Sequence, residues 1–151
     1  MKVMTFTFST NGLYICSLTG SRKNPVMVYK DRLSLPTTYS IPQMVEWFEK
    51  ELSLILEREA PQLISYKLTI THVTNAFVSK VYYGQAILNL LAVKKSIPIQ
   101  HTSPSSITPS KFNLPKGANL RTHADDVFKN PSSPWDDKMR DTSLISLILL
   151  N

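Results

Sequence analysis

The first thirty residues constrain the fold more than any other stretch of the chain. Lys2 to Phe8 alternates and is rich in β-formers, and a second such run, Leu13 to Leu18, resumes after Asn11-Gly12. Asn-Gly between two alternating runs is the strongest short-range hairpin signal, because both residues tolerate the positive φ that a type I′ turn requires. Gly20 to Asn24 reads as a second turn and Pro25 to Tyr29 as a third strand. The chain therefore opens with a three-stranded antiparallel meander.

The periodicity then changes. Ser40-Ile41-Pro42 starts a helix, with Ser40 as N-cap and Pro42 in the first turn, where its missing amide is not needed. Met44, Val45, Phe48, Leu52, Ile55 and Leu56 recur at helical spacing, while Glu46, Glu49, Lys50, Glu57 and Arg58 take the solvated face, and Pro61 ends the helix. Leu63 to Ile70 reads as a fourth strand, followed by a loop through Asn75 to Lys80. A nearly all-apolar, buried helix is predicted from about Tyr83 to Lys95, with Lys94 and Lys95 at its C-terminal end, where positive charge suits the dipole. Ile97 to His101 makes a short fifth strand. Residues 102–134 read as a long irregular loop with one helical turn near Ser105 to Lys111, after which Trp135-Asp136-Asp137 caps a final helix, Lys138 to Leu150.

With 151 residues and 42% apolar content the chain is sized for one domain, 1–151, with a real core. Its net charge of +6 is segregated: no aspartate or glutamate lies between Glu59 and Asp125, or in the first thirty residues. Such a surface suits anionic partners, nucleic acid foremost, and also an acidic protein. A single cysteine, Cys16, in a strand-like run excludes an internal disulfide and a cysteine-rich zinc site, and reads as a buried inert thiol. Met1-Lys2 leads directly into a strand, and the apolar runs near Ala86 to Val93 and Leu144 to Leu150 are too short to span a bilayer. The expectation is a cytoplasmic protein with no membrane partner.

The order β-β-β-α-β-α-β, a variable segment and a last α is that of the ribonuclease-H-like fold. This is α/β, a mixed five-stranded sheet in the order 3-2-1-4-5 with helices on both faces. Three stretches resemble the RuvC-type Holliday-junction resolvases: Tyr83-Gly84-Gln85-Ala86 with the following Ile97-Pro98-Ile99, the loop Thr102 to Ile107 with Lys111 beyond it, and Asp136 to Asp141 running into Ser143-Leu144-Ile145. The chain also resembles a small set of bacterial proteins of this fold with weakened acidic positions. In active members, the resemblance implies four carboxylates holding two divalent cations that bracket the scissile phosphate. The first-strand acid is matched here by Thr7, and the acid ending the fourth strand by Lys67 in Ser65-Tyr66-Lys67. Of the C-terminal acids, Asp141 is matched, with Asp137 one turn earlier. No cofactor is expected beyond a weak Mg²⁺ on Asp137 and Asp141, which share a helix face; first-turn aspartates serve equally as caps.

Lys67, Lys80, Lys94, Lys95 and Lys111 are candidate nucleic-acid contacts, with Tyr82, Tyr83 and Phe112 as stacking groups; the alternative is that the aromatics are core and the lysines solvated. His101, His123, Asp125 and Asp126 could assemble a metal or acid/base set, but their spacing is not diagnostic and a solvated loop is the stronger reading, and His72 reads as a surface or hydrogen-bonded histidine. No nucleophile elbow, phosphate loop or dinucleotide fingerprint is present. Three readings follow. The first is a catalytically inactive RuvC-like protein that binds DNA or RNA or regulates a nucleic-acid process. The second is a protein-interaction module, such as an immunity or defence-complex subunit, on the same scaffold. The third is a residual Mg²⁺-dependent nuclease. Homodimerisation follows from the resemblance alone.

Overall fold

A computed structural model describes residues 1–69 and 74–151. The sheet has the strand order β3-β2-β1-β4-β5. Its strands are β1 (Val3–Phe8), β2 (Leu13–Gly20), β3 (Pro25–Leu33), β4 (Leu63–Lys67) and β5 (Ile99–Thr102). β1 pairs antiparallel with β2 and parallel with β4, so the meander and the crossover units meet at the central strand. Helices α1 (Ile41–Glu59), α2 (Asn75–Phe77) and α3 (Tyr83–Lys94) cover one face; α4 (Leu120–Phe128) and α5 (Asp137–Ile148) cover the other.

Every residue of β1 is buried, and its alternation divides the interior in two. Met4, Phe6 and Phe8 join Phe48, Leu52, Leu56 and Leu88 beneath α1 and α3. On the other face Val3 joins Tyr14, Cys16, Leu18, Met139, Leu144 and Leu147 beneath α5. Beside that second core, Thr5 and Thr7 present hydroxyls to α5. The Thr142 hydroxyl lies 2.7 Å from Thr7 Oγ1, and the Ser146 hydroxyl 2.7 Å from Thr5 Oγ1. Ser143 Oγ donates to the Met139 carbonyl at 2.8 Å. Short side chains on both partners let the helix lie close on the sheet, and the hydroxyls satisfy one another where no water reaches.

Local chemistry explains the ends of the elements. Ser40 accepts from the Gln43 amide while Gln43 reaches back to the Ser40 amide, a complete capping box at the start of α1. Asp136 caps α5 by accepting from the Met139 amide at 2.9 Å. Gly20 holds φ +86°, and a Cβ there would sit 2.4 Å from the Asn24 carbonyl oxygen, so only glycine fits that turn.

Several expectations are corrected. Asn11 and Gly12 take no positive φ; Phe8 pairs with Leu13 across a four-residue loop organised by the Ser9 hydroxyl, which accepts from the Gly12 amide at 3.1 Å and donates to its carbonyl at 2.8 Å. Strand β4 stops at Lys67 instead of continuing to Ile70, which, like His72, lies outside the described residues. The loop expected over Asn75 to Lys80 is helical: Thr74 caps α2, and a π-helical segment, Val78–Tyr82, joins it to α3. The resulting helix, Asn75–Lys94, is long and apolar enough by length and composition to cross a membrane, contrary to the estimate from the shorter run. Its buried side, with Val81, Gly84, Leu88, Leu91 and Ala92, is part of the core, whereas Leu90 and Val93 are exposed instead of buried.

The long irregular loop expected over 102–134 contains α4 and two 3₁₀ turns, Pro104–Ser106 and Pro109–Phe112. Asn119 caps α4 by accepting from the Arg121 and Thr122 amides, and Leu120, Ala124, Val127 and Phe128 fasten it to the core under α5. The flanking Pro115, Gly117 and Pro131 disguised this nine-residue helix.

Three measurements test this architecture. Thr142→Val should destabilise the protein by about 1–3 kcal/mol, because it leaves the Thr7 hydroxyl without its partner, and Thr7→Val/Thr142→Val should cost less than the sum of the single changes. Additive denaturant midpoints would remove the hydroxyl pair as a source of stability. Gly84→Ala should cost about 1–3 kcal/mol despite its better helix propensity, since the new Cβ would lie 2.6 Å from the Phe8 ring, itself buried against Phe48. Burial pushes the Cys16 thiol up to about 11, against hydrogen bonds from Ser143 and Ser146. A disulfide reagent at pH 8 should therefore label Cys16 only after unfolding.

Candidate nucleic-acid cleft

The C-terminal ends of the two central parallel strands carry the candidate site. Phe6 of β1 stands opposite Tyr66 of β4, so Thr7 and Lys67, one residue on, emerge side by side beneath α5. Thr7 is 4% exposed and bound to Thr142, so at this position a neutral hydroxyl is locked into the interior. Lys67 Nζ lies 3.3 Å from Asp141 Oδ2, their side chains 21% and 25% exposed. An ammonium thus stands against Asp141 at the place where the resemblance implies metal.

Asp137 and Asp125 also face cations. Arg121 of α4 reaches Asp137 at 2.9 Å and Asp141 at 3.8 Å. Arg140 reaches Asp125 at 2.7 Å and Asp137 at 3.5 Å, and Trp135 Nε1 donates to the same Asp125 oxygen at 2.7 Å. The hydrogen bond from Arg140 holds the Asp125 carboxyl below its ordinary value. Asp136 is engaged by the Tyr14 hydroxyl at 2.9 Å and by its cap. A chain of alternating charge therefore runs Lys67, Asp141, Arg121, Asp137, Arg140, Asp125, tying β4 to α5, α4 and the loop that carries Trp135.

Above Lys67 opens a cleft of about 490 Å³. Phe8, Leu68, Phe77 and Pro104 give it apolar walls, Ser9, Thr10, Thr69 and Ser103 give it hydroxyl edges, and Lys67 and Lys138 supply two ammonium groups. The Lys138 ammonium and the Arg32 guanidinium also approach the Tyr14 ring, at 5.8 and 5.5 Å from its centroid. Positive charge thus continues outside the cleft along β2, β3 and α5.

Of the lysines chosen from the sequence, Lys67 is in this cleft and the others are dispersed. Lys80 lies in the π-helical segment. Lys94 and Lys95 sit where α3 ends and the chain turns back into β5, at the other end of the sheet, with Lys95 paired to Glu57 at 2.8 Å. The Lys111 carbonyl meets Arg22, also away from the cleft. Phe112 is a core residue, Tyr82 packs partly into the core under α1 and α3, and Tyr83 borders a shallow apolar groove with Val45, Ala86 and Ile87. His101 is exposed on edge strand β5 with its ring 6.0 Å from that of Tyr66. His123 lies on α4 against Phe112, and Asp126 is exposed. Among the described residues no three His, Cys, Asp or Glu side chains gather as a metal site.

Sequence reasoning missed Lys138 and Arg121. Lys138 stands one helical turn before Thr142, which bonds its carbonyl at 2.7 Å, so it was recoverable once Thr7 and α5 had been set side by side. Arg121 was hidden with its helix.

No family model and no curated protein matches this chain. Solved structures do. RuvC of Thermus thermophilus matches over 98% of this chain and 92% of its own, with TM-score 0.79 and 12% identity. The same resolvase in complex with a Holliday-junction substrate gives 0.78 and 13% over 98% and 91%. The yeast mitochondrial Holliday-junction resolvase Ydc2 gives 0.75 and 14%, over 97% of this chain and 76% of its own. At such identities the likeness is one of fold. With its 3-2-1-4-5 mixed sheet, the chain has the RuvC-type, ribonuclease-H-like fold.

Proposed function

We propose that this protein binds the sugar-phosphate backbone of DNA or RNA at the Lys67 cleft with its own ammonium groups, and does not cleave it. The observation that carries this reading is the Lys67 to Asp141 pair at the end of β4. A two-metal centre concentrates carboxylates until two divalent ions become favourable. Here one position is a neutral threonine and another a cation, which would repel any ion 4 Å away by about 4 kcal/mol per unit charge at an effective dielectric of 20. The same ammonium is an attractive partner for a phosphate oxygen. Lys138 provides a second contact and the apolar walls accept sugar or base. The Holliday-junction substrate held by the Thermus neighbour supports a branched nucleic acid as the first ligand to try.

A second reading, the protein-interaction module, is favoured by Leu54, Leu90 and Val93, which are 54%, 46% and 75% exposed on α1 and α3. The basic cleft lies away from these side chains, so a protein partner or a second copy of the chain would leave it open. The residual-nuclease reading requires Asp137 and Asp141 to exchange their arginine and lysine partners for Mg²⁺ and water.

Fluorescence anisotropy with a labelled four-way junction in EDTA tests the proposal. Binding should persist without metal and weaken steeply with salt, and Lys67→Gln should reduce affinity about tenfold and lower the salt slope by roughly one ion. Absence of binding at low salt, or binding that Lys67→Gln and Lys138→Gln leave unchanged, refutes it. Mn²⁺-dependent cleavage abolished by Asp141→Ala would establish the nuclease reading instead.

A further inference from the structure

A second cavity, of about 500 Å³, opens at the opposite end of the sheet, beside the turn joining β2 to β3. Its floor is apolar: Phe112, Val127, Leu147 and Leu150 line it, and three of them are at most 8% exposed. Its rim carries Arg22, Lys23 and His123 together with the C-terminal residue Asn151, and no aspartate or glutamate side chain lines it.

Arg22 is held rigidly. Its guanidinium donates to the carbonyls of Ile148 and Lys111, and its amide to a main-chain oxygen of the C-terminal residue, Asn151. Two backbone carbonyls do not exhaust the five N–H donors of a guanidinium, so Arg22 is pre-oriented with donors to spare. Gly20 fixes the turn that carries it, since its φ of +86° and the Asn24 carbonyl exclude a side chain. The His123 ring rests on Phe112, 5.2 Å between centroids, placing an imidazole at the edge of the apolar floor.

From this juxtaposition we infer that the cavity is a binding site for a small amphipathic anion, an apolar or aromatic body carrying one carboxylate or phosphate. The body replaces water over the Phe112, Leu147 and Leu150 floor, and the head group meets Arg22 and Lys23. The size matches sites that enclose small organic ligands, which are mostly apolar with a few fixed polar groups. Two cations at the rim favour an anionic head group, and bidentate guanidinium geometry suits both carboxylate and phosphate. The site is separate from the Lys67 cleft and does not depend on nucleic-acid binding there.

Amide chemical-shift mapping on the full chain tests the site with phenyl phosphate, indole-3-carboxylate and neutral indole-3-carboxamide. Expected are saturable shifts at Ser21, Arg22, Lys23 and His123 for one or both anions, with the carboxamide at least about tenfold weaker. The stronger anion identifies the head group. Lys23→Ala should weaken the anions several-fold and leave the carboxamide unchanged. Arg22→Ala should do so more severely, and if loss of its carbonyl contacts unfolds the protein, Lys23→Ala still decides. Equal binding of the carboxamide, shifts confined to Thr7, Lys67 and Lys138, or no saturable shift overturns the inference.

Discussion

The contact on which the rest of the molecule depends is that of α5 with the odd-numbered face of β1, made through short polar side chains. Thr5 and Thr7 meet Ser146 and Thr142 at 2.7 Å, in a place where all four residues are at most 4% exposed. Buried hydroxyls are costly alone and satisfied in pairs, so this seam fixes both the register of α5 on the strand and its depth. Once the helix is so placed, Asp141 must face Lys67 and Lys138 must stand at the cleft.

The charges around that seam form one connected system. Each aspartate in the alternating chain touches two cationic or hydrogen-bonding partners, so removing any one charge leaves others to share its counter-ions. Isolated exposed pairs contribute little, but a network spanning β4, α5, α4 and the Trp135 loop orients those elements relative to one another. Trp135, bonded to Asp125 and lying beside the Arg140 guanidinium, sits at the far end of the system that begins at Lys67.

Much of this was legible in the sequence. The meander, the Ser40 cap, α3 and the Asp136 cap are local features, written in turn residues, periodicity and capping chemistry. That Thr7 and Lys67 stand together followed from element order, because a parallel β1–β4 pair must place those residues side by side. What escaped was decided by tertiary contacts. The Asn11-Gly12 pair lost its preferred turn to the Ser9 hydroxyl, and the polar start of the Asn75–Lys94 helix concealed a segment held by a Thr74 cap. Helix α4 carries mixed polarity because only Leu120, Ala124, Val127 and Phe128 need the core, and Arg121 was overlooked with it.

Thr7 and Lys67 also set what an acidic side chain at this site would cost. A carboxylate at position 7, which is only 4% exposed and faces the Thr142 hydroxyl, would lose its hydration and depend on the neighbouring Lys67 ammonium for compensation. An acid at position 7 alone would therefore compete with Asp141 for the Lys67 ammonium, and an acid at position 67 alone would face Asp141 with like charge. Neither single step improves on the present state. The hydroxyl seam and the Lys67–Asp141 pair together suit this site to its present residues and make it a poor host for an added carboxylate.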